Sequence, residues 1–161
     1  MTDPKQEIFD ILYQFEGGES VLDVGCGKEP LSGIAPPKGG HATGIDLQHY
    51  GIDWAEFNVE HYGYDIIIAN DLFPNVDQRL ELFLEMYLPH CKEMRLSLTY
   101  FDEPHWYRAT RPEGEVITML AWTRKQITNL LPWSGCHTKG YQGEFPNGRK
   151  VLLVWLKGGL A

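Results

Sequence analysis

The run Val21-Leu22-Asp23-Val24-Gly25-Cys26-Gly27 constrains this chain more than any other stretch. An apolar run broken by closely spaced glycines is the pattern of a buried parallel strand ending in a tight turn, where missing side chains let backbone approach a ligand. A second run, Thr43-Gly44-Ile45-Asp46, ends in a carboxylate. In a parallel α/β sheet ligands bind beyond the carboxyl ends of the strands, and an acidic residue ending the neighbouring strand can accept both hydroxyls of a ribose. The two runs together predict an α/β fold with a nucleoside ligand at its strand ends.

Two kinds of nucleoside cofactor suit such an edge. A dinucleotide needs G-x-G-x-x-G, whose third glycine lets the following helix pack closely and receive a pyrophosphate at its N-terminus. Here Gly25-Cys26-Gly27-Lys28-Glu29 runs into Pro30, the third glycine is missing, and Asp23 stands two residues before the first. These features favour a cationic, phosphate-free ligand. V-L-D-V-G-C-G followed by T-G-I-D resembles motifs I and II of the class I S-adenosylmethionine-dependent methyltransferases, with Glu29 where that family usually has its last glycine. The resemblance implies S-adenosyl-L-methionine (SAM) as cofactor and S-adenosyl-L-homocysteine (SAH) as product. It also implies cofactor contacts from Asp23, Gly25, Cys26 and Gly27 in the first motif and from Asp46 and Leu47 in the second.

The 161 residues, 43% of them hydrophobic, predict a single domain, 1–161, large enough to bury its own core. Met1 to Glu7 is polar without an apolar leader, and no later run reaches membrane-spanning length, so a cytoplasmic protein is expected. Cys26, Cys91 and Cys136 are scattered and form no C-x-x-C pair, which points away from disulfides and zinc. A formal net charge of -8 disfavours nucleic acid as the partner. A small-molecule substrate is expected, and the sequence leaves monomer and homodimer equally open.

Asp3-Pro4 opens a first helix with Ile8, Ile11, Leu12 and Phe15 on one face, stopped by Gly17-Gly18, and the first strand runs Ser20 to Val24. Lys28 to His41 is crowded with proline and glycine and leaves room only for a brief helix near Leu31 to Ile34. Gln48 to Asp53 and Val59 to Gly63 are too short for full helices, so the cofactor half is abbreviated. A third strand over Trp54 to Phe57 puts Asn58, with Val59, where the resemblance implies adenine contacts; Asn58 reads equally well as a turn residue.

The unbroken run Tyr64 to Asn70 predicts a central strand buried on both faces, and it resembles motif IV. The resemblance puts Asn70 at the cofactor and Asp71 beside the transferred methyl. Asn70 and Phe73 also keep the spacing of the N-P-P-F signature of amino-group methyltransferases, without its prolines, which would stack Phe73 on a substrate; the alternative is a loop leading into the next helix. That helix spans Asp77 to Leu88 with Asp77 as its cap, and a fifth strand runs Met94 to Tyr100. Phe101 to Arg108 is expected to be a substrate loop continuing to Arg111. Tyr100, Trp106 and Tyr107 would exclude water, and Arg108 or Arg111 would orient an anionic group. Its alternative is a surface connection with anchoring aromatics. Asp71 and His105 are the candidate general bases, although His105 also reads as a surface residue between Pro104 and Trp106.

Trp122 to Leu131 predicts a last helix capped by Thr123, and Gly135 to Gln142 and Arg149 to Leu156 a hairpin through Asn147-Gly148. The expected fold is thus α/β, a Rossmann-like class I methyltransferase sheet, mostly parallel with a C-terminal antiparallel hairpin. The six histidines show no H-E-x-x-H or other clustered ligand spacing and the carboxylates no triad, so no metal is expected; G-x-S-x-G and P-loop patterns are also absent. Methyl transfer to an oxygen or nitrogen acceptor is the expected activity. The alternative is a non-catalytic SAM-binding or scaffold protein on the same fold.

Overall fold

A computed structural model of the chain describes residues 3–27, 40–74, 76–110, 114–143, 145 and 148–160. Its strands are β1 (Ser20–Val24), β2 (His41–Ile45), β3 (Tyr64–Asn70), β4 (Cys91–Tyr100), β5 (His105–Thr110), β6 (Val116–Ala121), β7 (Cys136–Gly140) and β8 (Lys150–Lys157). Its helices are α1 (Pro4–Leu12), the single turn α2 (Leu47–Tyr50), α3 (Leu80–Tyr87) and α4 (Arg124–Leu130). Six strands form one sheet in the order β2-β1-β3-β4-β8-β7. The first four are parallel, and β8 runs antiparallel to both β4 and β7. The expected mostly parallel sheet with a terminal antiparallel hairpin is what the chain forms. The brief helix near Leu31 to Ile34 falls outside the described residues.

Local chemistry sets the helix ends. Asp3 caps α1 by accepting the Lys5 N–H at 3.0 Å, with Pro4 at the first helical position. The helix stops at Leu12, ahead of Gly17-Gly18, and the Arg95 guanidinium donates to the Leu12 and Gln14 carbonyls at 2.8 and 2.6 Å, satisfying acceptors that a longer helix would have used. Thr123 and Gln126 form a reciprocal capping box on α4. Asp77, expected to cap α3, instead accepts from the Trp54 indole and from Arg79, and α3 begins after Arg79.

The expected third strand is a turn. Asp53 explains why: its side chain accepts the Ala55 N–H at 3.1 Å and its carbonyl accepts the Glu56 and Phe57 N–H groups at 3.0 Å, so these amides close a turn rather than a ladder. The expected loop at 101–108 departs the other way. From His105 it becomes β5, which pairs with β6 as a separate two-stranded sheet.

Leu22, Val24, Ile67, Ala69, Leu96 and Leu98 fill one side of the central sheet, against an aromatic group in which Trp54 meets Phe83 edge-on at 5.3 Å and Phe73 meets Phe83 at 4.8 Å. On the other side Ile8 and Leu12 of α1 cover Val151 and Leu153 of β8. Among the described residues the buried polar side chains are Asp23, Ser97 and Thr99. Buried polar groups persist where they are hydrogen-bonded, and these three share the C-terminal half of the parallel strands. No helix among the described residues is long and apolar enough to cross a membrane.

Candidate active site

The glycine turn after β1 folds onto the end of β2. Gly25 and Gly27 take positive φ angles of 71° and 77°, which glycine adopts without steric cost. The Gly25 and Cys26 N–H groups both donate to the Ile45 carbonyl, at 2.8 and 3.1 Å, and the Gly27 N–H donates to Asp46 Oδ2 at 2.9 Å. These three amides are therefore engaged by β2 and its carboxylate, an arrangement unlike the open nest that receives a pyrophosphate. Asp46 Oδ1 also accepts the His49 N–H at 2.9 Å, so the carboxylate is fixed at the start of α2.

Beside this turn lies a cleft of about 1100 Å³. It is lined by Gly25, Asp46 and Leu47 at the ends of β1 and β2, by Asp53, Trp54 and Arg79, and by Thr110 and Met119 of the β5–β6 hairpin. Arg79 sits 4.5 Å from the Trp54 ring centre and pairs with Asp77 at 2.7 Å and Asp53 at 3.4 Å. Burial works against the charge on Asp77, but the hydrogen bonds from Arg79 and Trp54 outweigh it and hold this carboxyl below its ordinary range.

Behind the turn, on the α1 side of the sheet, a chain of polar contacts joins the ends of β1, β3 and β4. The Tyr13 hydroxyl donates to Asp23 Oδ1 at 2.7 Å. Burial raises the Asp23 carboxyl to about 7, the Tyr13 hydrogen bond opposing the rise and the nearby Asp46 adding to it. Cys26 is pushed up to about 11 by burial and by the same two carboxylates, which keeps it a neutral thiol. Ser97 Oγ donates to Asn70 Oδ1 at 2.6 Å and accepts the Asp71 N–H at 2.8 Å. Asp71 stands at φ 56°, a left-handed conformation that an aspartate keeps only where its surroundings hold it. Its carboxylate accepts from Thr99 Oγ1 at 3.0 Å and pairs with Arg149 at 3.3 Å.

The hairpin sorts the remaining candidates by strand alternation. His105, Tyr107 and Ala109 pair with Ala121, Met119 and Ile117 on one face, whereas Trp106 and Arg108 pair with Leu120 and Thr118 on the other. Trp106 is 69% exposed and Arg108 is exposed too, so both face away from the Tyr107 side. Burial raises the Tyr107 hydroxyl, with Arg149 opposing and Asp71 adding, which marks its closeness to that ion pair. Exposed His105 donates from Nδ1 to the Glu103 carbonyl at 2.9 Å and meets Phe101 edge-on at 5.2 Å; it lines neither the cleft nor the smaller cavity at this edge. Tyr100 is half-buried with Arg124 over its ring at 6.0 Å. Arg111 lies outside the described residues.

Phe73 requires a correction. It is fully buried among Trp54 and Phe83, so its ring packs the core and does not stack on a substrate. Asn58 is exposed and Val59 buried, and neither lines the cleft. Two features escaped the sequence reading: Arg149, expected merely to open the last strand, and the Asp53–Arg79–Asp77 group. Arg149 reaches Asp71 across 78 residues and Arg79 reaches Asp53 across 26, so neither contact forms a local motif, although Asp77 and Arg79 are near neighbours.

No protein-family model matches the chain, and no curated protein matches it in sequence. Solved structures do match its fold. The N-terminal domain of EvdMO1 with SAH bound superimposes with a TM-score of 0.68 at 13% identity, over 98% of this chain and 82% of that one. A putative S-adenosylmethionine dependent methyltransferase from Listeria monocytogenes gives 0.58 at 12% identity, over 96% and 98%. CalS10, an amino pentose methyltransferase from Micromonospora echinaspora, gives 0.57 at 14% identity, over 96% and 92%. The chain has the Rossmann-like fold of the class I SAM-dependent methyltransferases.

Proposed function

We propose that the chain is a single-domain cytoplasmic enzyme that binds SAM across the cleft and transfers its methyl group to an oxygen or nitrogen of a small-molecule acceptor. One observation carries this reading: the glycine turn after β1 and the carboxylate after β2 meet at one wall of a nucleoside-sized cleft. The residues fit such a cofactor. A side chain at Gly25 would meet Leu72 at 3.2 Å, so the glycine keeps the approach open. Asp46 retains acceptor lone pairs beyond those taken by the Gly27 and His49 amides.

Bound there, SAM supplies an electrophilic methyl group on its sulfonium. Asp46 accepts the ribose hydroxyls, with Leu47 beside it on the same wall. The turn Gly25, Cys26 and Gly27 would carry the amino-acid end, with Asp23 buried behind it and Asn70 at the adjoining ends of β3 and β4. The β5–β6 hairpin shuts out water from above, Tyr107 contributing its inward face. As the acceptor's oxygen or nitrogen bonded to the methyl carbon, the carbon–sulfur bond would break to leave SAH, and Asp71 would accept the proton that the acceptor releases. Alignment of acceptor, methyl and leaving sulfur is the larger part of the work.

The protein incubated with SAM and fractionated small-molecule extracts should yield SAH together with a methylated product, both read by mass spectrometry. The one-turn α2 and the turn in place of a third strand favour a second reading, a non-catalytic SAM-binding scaffold. Retention of unreacted SAM with every fraction would establish that one instead.

A further inference from the structure

A second cavity, of about 170 Å³, lies between the start of α1 and the ends of β3, β4 and β8. Lys5, Ile8, Asn70, Asp71, Phe145 and Arg149 are among its walls. Its electrostatics are unbalanced. The Arg149 side chain is only 16% exposed, and the hydrogen bonds it makes to Asp71 all use Nη1. A guanidinium carries five N–H donors in a rigid fork. Among the described residues none accepts from its Nε or Nη2. The Lys5 ammonium likewise forms no ion pair among them. Among the described residues lining the cavity, two cations stand against one carboxylate, an excess of positive charge in a chain whose net charge is -8. Donors held out of water without acceptors are costly, and the chemistry that satisfies them is an anion.

Resting on the methyl-transfer reading above, we propose that this cavity is the acceptor subsite and that it takes a small carboxylic acid, anchored by Arg149 and Lys5. A planar carboxylate matches the fork of a guanidinium two bonds at a time, whereas a doubly charged phosphate would be repelled more strongly by Asp71. Phe145, whose ring centre is 4.7 Å from the Arg149 guanidinium carbon, and Ile8 supply apolar walls for the acid's hydrocarbon body. Asp71 borders this cavity, while the next residue, Leu72, borders the cleft. An acid anchored at Arg149 then has Asp71 in the same cavity to meet its remaining hydroxyl or amine, one residue from Leu72 of the cleft. The anion-holding role that the sequence assigns to Arg108 or Arg111 moves to Arg149 beside β8 and Lys5 of α1.

The test uses 3-hydroxybenzoate and 3-aminobenzoate with their uncharged carboxamides, titrated by calorimetry into the SAH-loaded protein. The acids should bind about ten-fold or more tightly than the amides, the ratio expected from charged hydrogen bonds. Arg149→Gln should erase that ratio and leave SAH affinity unchanged. Lys5→Gln, at an exposed helical position, should reduce the ratio without disturbing the fold, so the test stands even where Arg149→Gln fails to fold. Equal binding of acids and amides, no binding of any of the four, or an unchanged ratio in the Lys5 variant would overturn the proposal. SAH affinity is measured first; its absence would overturn the methyl-transfer reading instead, and the acid-to-amide ratio would then be read on the free protein.

Discussion

The two sides of the sheet's C-terminal edge are built differently. On the β1–β2 side, proposed to hold the cofactor, the geometry is made by two short runs at the ends of paired strands: the glycine turn on one, the Ile45 carbonyl and Asp46 on the other, joined by backbone amides, the Gly27–Asp46 contact spanning 19 residues. On the β3–β4–β8 side, proposed to hold the acceptor, Asp71 meets Arg149 across 78 residues of sequence, and Lys5 joins them from the N-terminus. A site made from backbone and adjacent residues leaves a motif in the sequence. A site made from side chains on distant strands leaves none, because each residue has an ordinary local reason to be where it is.

The contrast is broken most directly at Asp71. Asp71→Asn should lower kcat by about 10²–10⁴-fold, the range of a general base, while SAH affinity stays intact. His105→Gln should cost less than about ten-fold, because the imidazole lies exposed on the hairpin. Equal losses in the two variants would move proton transfer onto the hairpin. Phe73 tests the boundary of the site. Phe73→Ala should cost about 3–5 kcal/mol in chemical denaturation, the penalty for emptying an aromatic core position. A stable variant with lost turnover would return Phe73 to the substrate.

On the cofactor side the effects should be smaller. Asp46→Ala should weaken SAH binding by about 1.5–3 kcal/mol, as expected for hydrogen bonds to a charged acceptor. Unchanged affinity in the folded variant would remove the ribose from Asp46. Asp23 provides a pH test. Its carboxyl is raised from 3.8 to about 7, so between these values the folded chain keeps a proton that the unfolded chain releases. Stability from this group is full below pH 3.8 and is lost as pH rises through about 7, at about 1 kcal/mol per pH unit. Urea denaturation between pH 4.5 and 6.5 should show that slope in the unmodified protein, levelling off above about 7, and a flatter one in Asp23→Asn; parallel slopes would mean that Asp23 titrates normally.

The same distinction accounts for what was legible in the sequence. β1 was expected over the residues it occupies, and β3 and the antiparallel ending followed from apolar runs and an Asn-Gly turn. Trp54 to Phe57 misled because an aromatic, apolar stretch reads as strand, while Asp53 just before it supplies the side-chain and carbonyl acceptors of a turn. The hairpin was hidden by Pro104 and by charged residues on its outward face, although the alternation of Tyr107 with Trp106 and Arg108 was in view. Spacing alone does not tell Phe73 from a substrate-stacking ring, because it leaves open which side of the loop packs inward against Phe83.

Isothermal calorimetry of SAM, SAH and NAD against the unmodified protein tests most directly whether the cleft binds an adenosyl cofactor. Both adenosyl ligands should bind and NAD should not, because the Gly25, Cys26 and Gly27 amides are engaged by β2 and Asp46 rather than open to a pyrophosphate. NAD binding more tightly than either adenosyl ligand would contradict it.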